Sequence, residues 1–323
     1  MSIVAVTDYT FPDLVIESEI LRAVGAEVRG GQSRDVHQLS QLVSSADAVI
    51  TQFAPITAEV IANMQRAKVI VRYGIGVDNV DLVAARARGI PVCNIPDYCI
   101  DEVADHTLAF ILATTRQVVS NALHIRDGAW SLATSVESMR TLRDQCVGIV
   151  GFGRIGREVA LRLAPFKCRR LVADAWLPHE LIRQAGCEPV ALDELLAQSD
   201  IVTLHCPSTP DTRHLLNVDS LGRMKAGAII INLARGDLIE TSALIAALQT
   251  GHIAAAAIDV CDPEPIPEDS PLRSLSNVIA ASHIASVSSK AVRKLRETAA
   301  SIAALAIQGE PLPNVVNAPR KLA

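Results

Sequence analysis

The stretch QCVGIVGFGRIGREVAL, residues 145–161, decides the fold. Its apolar run 147–150 leads directly into Gly151, Gly153 and Gly156, and a helical pattern follows. A strand, a glycine turn and a helix in this order are typical of the opening of a dinucleotide-binding domain. Because the motif stands almost halfway along 323 residues, it predicts a second domain in front of it.

The composition favours a cytoplasmic protein with buried parallel sheets. Half of the residues are apolar and only 3% are aromatic, so the cores must consist of Ala, Val, Ile and Leu. The 30 basic and 35 acidic residues include no basic run, which argues against nucleic acid as a partner. The seven cysteines form no C-x-x-C pair, which favours reduced thiols, and we expect no metal site. Neither a signal peptide nor a membrane span is expected.

Alternating apolar runs and helical patterns predict two parallel sheets. In the first hundred residues, strands are predicted at 2–7, 46–51, 68–74 and 91–95, and helices near 13–24, 35–44, 57–65 and 80–88. After a long helix near 99–119 and an arm at 127–144, strands are predicted at 147–151, 169–174, 200–206, 228–234, 255–260 and 277–282. Further helices are predicted near 155–164, 178–185, 193–198, 219–223, 241–249 and 288–308.

This order predicts a discontinuous α/β protein with two Rossmann-like, doubly wound parallel-sheet domains. The flavodoxin-like first domain would comprise residues 1–100 and a C-terminal return, 287–323. The dinucleotide domain, 101–286, would be inserted between these two segments.

The glycine motif indicates a nucleotide site because its context is right, whereas a lone G-x-G-x-x-G is weak. The glycines let the backbone approach a pyrophosphate, whose charge meets the free N–H groups of a helix start. Eighteen residues past Gly156, the next strand ends at Asp174. A carboxylate there would accept hydrogen bonds from the adenine ribose and repel a 2′-phosphate, which favours NAD. The alternatives are a solvated strand-end acid, or a preference altered by Arg169 and Arg170.

Three candidate catalytic residues follow strands of the second domain: Arg235, Glu264 and His283. The carboxyl ends of parallel strands share one edge, so these side chains would converge there. Guanidinium can hold a carboxylate, imidazole can move a hydroxyl proton, and a carboxylate can orient the imidazole. Each residue alone would more often be an ordinary surface or loop residue. His205 and His106 are rival acid–bases that we rank below His283.

The segment VRYGIGVDNVD, 71–81, follows a strand of the first domain and holds two glycines before the next helix. Its exposed N–H groups could bind an anionic group such as a substrate carboxylate. A plain strand-to-helix turn is the simpler interpretation of this segment alone. Arg72 could bind a phosphate or second carboxylate, or could point to solvent.

Seven motifs in a fixed order resemble the D-isomer-specific 2-hydroxyacid dehydrogenase family. That family includes phosphoglycerate, glycerate and formate dehydrogenases and the C-terminal binding protein corepressors. The motifs are RYGIGVDNVD, NIPDYCIDEVADHTLAFIL, GIVGFGRIGREVA, HCPSTPDTRHLLN, MKAGAIIINLARGDLIE, AAIDVCDPEP and SHIAS. The second motif looks most similar to bacterial relatives of the corepressor branch.

The resemblance implies a role for individual positions. Arg235 would bind the carboxylate, His283 would be the acid–base, and Glu264 would support it. The backbone of the substrate loop would bind the carboxylate at Tyr73, Gly74, Ile75 and Gly76. Tyr73 stands where smaller residues are common and hints at the shape of the substrate. Contacts to NAD are implied at Thr107, Gly151, Gly153, Arg154, Ile155, Gly156, Asp174, Cys206, Pro207, Leu233, Ala234, Asp259, His283 and Ala285.

The resemblance therefore implies an NAD-dependent D-2-hydroxyacid dehydrogenase acting on a small 2-keto or 2-hydroxy acid. It also implies a homodimer joined by the arm with Trp130 and residues 131–144, and domain closure over the substrate. An NAD(H)-sensing, corepressor-like scaffold with a protein partner is the alternative. Formate as reductant would need a specialised pocket that the substrate loop does not indicate, and phosphite remains open.

Overall fold

The computed structural model describes residues 1–318 and contains two compact units. The first unit comprises Met1–Tyr98 and the chain from Ser288 onward, and the second comprises Cys99–Val287. The units separate next to the boundaries predicted after residues 100 and 286. The last five residues of the predicted C-terminal return, 319–323, lie outside the described residues.

The first unit is built on a five-stranded parallel sheet. Its strands are β1 (Ser2–Val6), β2 (Ala26–Gly30), β3 (Ala48–Thr51), β4 (Ile70–Arg72) and β5 (Val92–Cys93). The helices between them are α1 (Val15–Arg22), α2 (Val36–Val43), α3 (Ala58–Ala62) and α4 (Leu82–Ala87). The strand order β2-β1-β3-β4-β5 is that of a flavodoxin-like sheet. Val4, Ile50 and Val71 are fully buried in it because helices cover both faces.

The second unit contains a seven-stranded parallel sheet. It begins with the helices α5 (Ile100–Thr115) and α6 (Val118–Arg126). Its strands are β6 (Cys146–Val150), β7 (Arg169–Ala173), β8 (Glu188–Pro189), β9 (Ile201–Leu204), β10 (Ala228–Asn232), β11 (Ile253–Ile258) and β12 (Val278–Ala280). Its remaining helices are α7 (Arg154–Leu163), α8 (His179–Gln184), α9 (Leu192–Gln198), α10 (Val218–Arg223) and α11 (Thr241–Gln249). The chain then returns to the first unit through α12 (Ser289–Gln308).

The strand order β12-β11-β10-β9-β6-β7-β8 is the doubly wound arrangement with its switch point between β6 and β9. The predicted fold class is therefore confirmed. Each predicted strand and helix is present, although most are shorter than predicted. Apolar runs bounded by turn residues specify buried parallel strands well, since both faces of such strands are apolar.

Two strands and one α-helix were not predicted from the sequence. The edge strand β2 has the sequence AEVRG and is exposed at its end, so it lacks an apolar run. β8 is an edge pair of two residues that includes a proline. Helix α6 lies between the predicted long helix and the predicted arm. None of its residues is buried, so its apolar residues do not form the periodic pattern that would predict a helix.

All seven cysteines are free thiols, and only Cys206 and Cys261 are partly exposed. The predicted burial of most cysteines is observed, and their reduced state stays a prediction. Among residues 1–318, no helix combines the length and apolarity needed to cross a membrane. No group of His, Cys, Asp and Glu within the same residues is arranged to hold a metal ion.

Candidate active site

The glycine motif forms the turn from β6 into α7. Gly151 has φ of 89°, and a Cβ there would collide with the backbone of Cys206, which follows β9. A Cβ at Gly156 would collide with the carbonyl oxygen of Gly151, while Gly156, Val159 and Leu163 form the buried face of the helix. Two of the three glycines are therefore required by the close packing of the protein itself.

Gly153 differs from these two glycines. It is exposed, and a Cβ built on it meets no atom within 4 Å, so the fold alone does not require glycine there. Within the described chain, the amides of Gly153, Arg154, Ile155 and Gly156 donate no hydrogen bond. Free amides at the start of a ten-residue helix, next to a glycine with open space, fit a dinucleotide pyrophosphate.

Asp174 directly follows β7 and contacts the same turn. Its Oδ2 accepts a hydrogen bond from the amide of Phe152 at 2.7 Å, and its Oδ1 accepts from the amides of Trp176 and Leu177 at 2.9 Å. Burial alone would raise the pKa of Asp174, but these three amides and the charge of Arg157 lower it below its usual value. The carboxylate stays charged and retains lone pairs for ribose hydroxyls.

The side chains of His283 and Glu264 form a direct pair. His283 Nδ1 lies 2.8 Å from Glu264 Oε1, and the two side chains are 26% and 40% exposed. A carboxylate that orients an imidazole in this way is typical of a general acid–base pair. The structure places these two predicted side chains together, and their catalytic roles stay a prediction.

Asp259 holds the backbone of His283 in place. His283 has φ of 58°, a left-handed conformation that costs energy for any residue other than glycine. Its amide donates to the Asp259 carbonyl oxygen, and the buried Asp259 carboxylate accepts from the amides of Ile284 and Ala285, both at 2.8 Å. A strained residue held by three hydrogen bonds is a feature of preorganised sites.

Arg235 follows β10, and its backbone is held by a buried asparagine. Asn232 donates to the Arg235 carbonyl oxygen at 2.8 Å and accepts from the Ala234 amide at 3.0 Å. The next residue, Gly236, lies so close to the backbone of Cys261 that no Cβ would fit. The loop of Arg235 therefore packs against the loop that leads to Glu264.

Most of the predicted NAD-contact residues follow the carboxyl end of a strand of the seven-stranded sheet. Cys206 and Pro207 follow β9, Leu233 and Ala234 follow β10, and Ala285 follows β12. Thr107 is the exception, since it lies fully buried in α5 and donates to the Val103 carbonyl oxygen at 2.7 Å.

The rival histidines lie in surroundings that differ from those of His283. Burial lowers the pKa of His205 to about 4, so its ring stays neutral near neutral pH, and its Nε2 lies 2.9 Å from the Thr203 hydroxyl oxygen. The ring of His106 packs edge-on against Phe110 in α5. Among residues 1–318, neither histidine has a carboxylate partner like that of His283.

The predicted substrate loop follows β4 in the first unit. The amides of Tyr73 and Gly74 already donate to the carbonyl oxygens of Thr51 and Arg72. The amides of Ile75 and Gly76 donate no hydrogen bond to any of residues 1–318. Two adjacent free amides in a turn can bind an anion.

The side chain of Tyr73 does not line a substrate pocket. It is 1% exposed, and its hydroxyl donates to Glu17 at 2.9 Å inside the first unit. The expectation that this side chain indicates the shape of the substrate is therefore wrong, because it points into the core. Only the backbone at this position can belong to a substrate site.

Two asparagines were missed as site residues, although both carry the same sequence signal. Asn232 and Asn94 each stand directly at the end of an apolar strand, in AIIIN and PVCN. Asn232 supports the Arg235 loop, and Asn94 donates to the Ile75 carbonyl oxygen at 2.6 Å. An amide at such a position can fix the backbone of the loop that follows.

The two parallel sheets, the glycine turn and the Asp174 carboxylate define the class of dinucleotide-binding α/β proteins with two domains. Residues 108–285 match the model of the D-isomer specific 2-hydroxyacid dehydrogenase, NAD binding domain. The chain belongs to this family, and the family prediction is confirmed.

Several relatives cover most of the chain. It is 37% identical over 292 residues to the D-3-phosphoglycerate dehydrogenase of Mycobacterium bovis, covering 90% of this chain and 55% of that protein. It therefore spans about half the length of the first curated relatives. A glyoxylate reductase from Korarchaeum cryptofilum is 37% identical over 278 residues, covering 85% of this chain and 84% of that protein.

A similar solved structure is the D-lactate dehydrogenase of Aquifex aeolicus complexed with NAD and lactic acid. Its TM-score is 0.88 at 28% identity, covering 98% of this chain and 99% of that one.

Proposed function

We propose that the chain is an NAD-dependent D-2-hydroxyacid dehydrogenase that reduces a small 2-keto acid or oxidises the corresponding 2-hydroxy acid. The observation that carries the proposal is the His283–Glu264 pair, held by Asp259 in the same sheet edge as the nucleotide turn. Family membership and the glyoxylate reductase relative support it.

Each residue then has a defined task in the reducing direction. Arg235 of the second unit binds the substrate carboxylate through its guanidinium. In the first unit, the amides of Ile75 and Gly76 can bind an anionic group such as a carboxylate. Protonated His283 donates its proton to the carbonyl oxygen of the substrate, and the negative charge of Glu264 stabilises the protonated imidazole before transfer. In the oxidising direction, His283 accepts the hydroxyl proton.

The nucleotide turn binds the cofactor. The free amides of residues 153–156 hold the pyrophosphate and Asp174 accepts from the ribose hydroxyls, which disfavours a 2′-phosphate. NADH, when bound, supplies the hydride for the carbonyl carbon of the substrate.

Arg72 favours a substrate that carries a second anionic group. It is only 7% exposed, its guanidinium lies against Gly74, and its Cζ lies 5.7 Å from the ring centroid of Phe53. A fixed positive charge beside the carboxylate-binding loop attracts dianionic substrates more strongly than monoanionic ones. The relative that acts on D-3-phosphoglycerate agrees with this preference.

A homodimer in the cytoplasm is part of the proposal. Within the described helix α6 no residue is buried, and Leu123 and Trp130 are 51% and 92% exposed. An exposed apolar surface of this kind fits a second copy of the chain. Leu123→Asp should convert the dimer to a monomer in analytical ultracentrifugation, whereas a monomeric wild type would contradict this part. Seven free thiols agree with a reducing compartment.

The test is a substrate panel followed through NADH absorbance. Glyoxylate, hydroxypyruvate, pyruvate, oxaloacetate, phenylpyruvate and 3-phosphohydroxypyruvate are offered with NADH and then with NADPH. We expect turnover with NADH, weaker turnover with NADPH, and a preference for a keto acid with a second anionic group. NADH binding without turnover across the panel would reject the proposal and favour a sensing scaffold.

A further inference from the structure

A buried charged cluster lies behind the substrate loop of the first unit. Glu17 of α1 is 0% exposed, and Arg296 of α12 is 5% exposed. Arg296 Nε and Nη2 donate to the two oxygens of Glu17 at 2.9 and 2.7 Å, and Nη2 also donates to Asp13 at 3.0 Å. The Tyr73 hydroxyl donates to Glu17 Oε1 at 2.9 Å. One carboxylate therefore connects two helices to the first residue of the loop.

The aromatic ring of Phe11 completes the cluster. It packs edge-on against the Tyr73 ring, with centroids 5.3 Å apart, and the Arg296 guanidinium lies 5.1 Å from its centroid. Burial, followed by the charge of Glu17, raises the pKa of Tyr73, so its hydroxyl stays protonated and donates at all ordinary pH values. The Tyr73 hydroxyl is therefore a permanent donor to the Glu17 carboxylate.

Stability alone is a poor reason for such a cluster. Two charges removed from water lose hydration, and a buried ion pair often contributes no more to stability than an apolar replacement. The bidentate geometry instead provides direction, because a planar guanidinium and a carboxylate fit in one orientation. Here the pair of Arg296 and Glu17 orients the Tyr73 side chain.

Tyr73 connects this orientation to the loop amides. Its own amide donates to Thr51, and the next residue, Gly74, accepts from the Ile95 amide at 2.9 Å. Ile75 and Gly76, whose amides donate no hydrogen bond within residues 1–318, follow immediately. A shift of the Tyr73 side chain therefore moves the start of the loop.

We propose that Glu17 and Arg296 are positioning residues for substrate binding, which hold the loop amides in place through Tyr73. This rests on the proposed function, since the loop is taken to bind the substrate carboxylate. Neither residue touches the substrate, so their effect is on its affinity rather than on proton transfer.

The experiment compares Tyr73→Phe and Glu17→Gln with a control, Ile61→Val, which alters a fully buried side chain in another apolar cluster of the same unit. We expect both cluster variants to raise KM for the keto acid by roughly tenfold, because a misplacement of about 1 Å can cost on the order of 100-fold. The kcat and the Kd for NADH should change little. Ile61→Val should lower Tm without raising KM.

Hydrogen exchange of the Ile95 amide provides a readout that needs no substrate. We expect faster exchange in Tyr73→Phe and Glu17→Gln than in Ile61→Val, since the Ile95 amide bonds to the loop at Gly74. Wild-type KM and Ile95 exchange in both cluster variants, with only Tm lowered, would overturn the positioning role. Absence of keto-acid turnover in the wild type would instead reject the proposed function, while the exchange data would still decide the positioning role.

Discussion

Two glutamates of this protein make similar contacts in opposite environments. Glu264 lies 2.8 Å from His283 and its side chain is 40% exposed, whereas Glu17 is 0% exposed and contacts Arg296 and Tyr73. The partly exposed pair is open to water, so in the proposed function it can exchange protons with a ligand. The buried cluster keeps its charges fixed and can only hold other groups in place. Exposure, rather than residue type, separates chemistry from positioning here.

Removal of the His283 imidazole should have the largest effect on catalysis. His283→Ala is expected to lower kcat by about 10²–10⁴-fold, the usual contribution of a general acid–base. The Kd for NADH, measured by fluorescence, should stay near the wild-type value, because the nucleotide turn is unchanged. Turnover close to wild type would reject His283 as the acid–base.

Matched substitutions of the two glutamates test the comparison directly. Glu264→Gln should lower kcat by roughly 10- to 100-fold with little change in Tm, since a hydrogen bond to a charged group contributes about 1.5–3 kcal/mol. Glu17→Gln should lower Tm and raise KM while kcat changes less, because it leaves the Arg296 charge buried. Steady-state kinetics and thermal unfolding measure both variants. Equal decreases in kcat in the two variants would contradict the different roles of Glu264 and Glu17.

Substitutions of two glycines test where the cofactor, and where the fold, requires a residue without a side chain. Gly153→Ala meets open space, so Tm should hold while the Kd for NADH rises about tenfold, or ~1.4 kcal/mol. Gly74→Ala should lower the unfolding free energy by about 1–3 kcal/mol, because Gly74 has φ of 146° and a Cβ would collide with Arg72. Calorimetry measures stability and fluorescence titration measures NADH. A destabilised Gly153→Ala would show that the fold, not the cofactor, requires this glycine.

Substitution of Asp174 should have the smallest effect, which is a change in the free energy of unfolding that depends on pH. The pKa of Asp174 is lower in the folded protein than the ordinary 3.8, so its contribution to stability is present above that value and is lost as pH falls through the folded pKa. Asp174→Asn should therefore be less stable than wild type at neutral pH, and the difference should shrink in acid. Urea unfolding from neutral to acidic pH measures this. A difference that grows in acid would contradict the sign.

The sequence predicts the contacts of the candidate site better in the second unit than in the first. His283 and Glu264 are 19 residues apart, follow neighbouring strands and belong to short motifs, so strand-end reasoning was sufficient. Glu17 lies 56 residues from Tyr73 and 279 from Arg296, and no local pattern connects them. Tyr73 itself was predicted for the substrate loop, but nothing local indicated that its side chain turns inward.

The sequence by itself determined the two parallel sheets, the interrupted first unit, the glycine turn and the strand-end positions of the catalytic candidates. Apolar runs, turn residues and motif order are local signals, so they can be recognised in the amino-acid sequence alone. Only the tertiary structure decided which carboxylates are buried, that Asp174 binds the Phe152 amide, and that α12 reaches the substrate loop through Arg296. These contacts depend on the packing of segments far apart in the chain, since burial and orientation exist only after the sheets and helices have assembled.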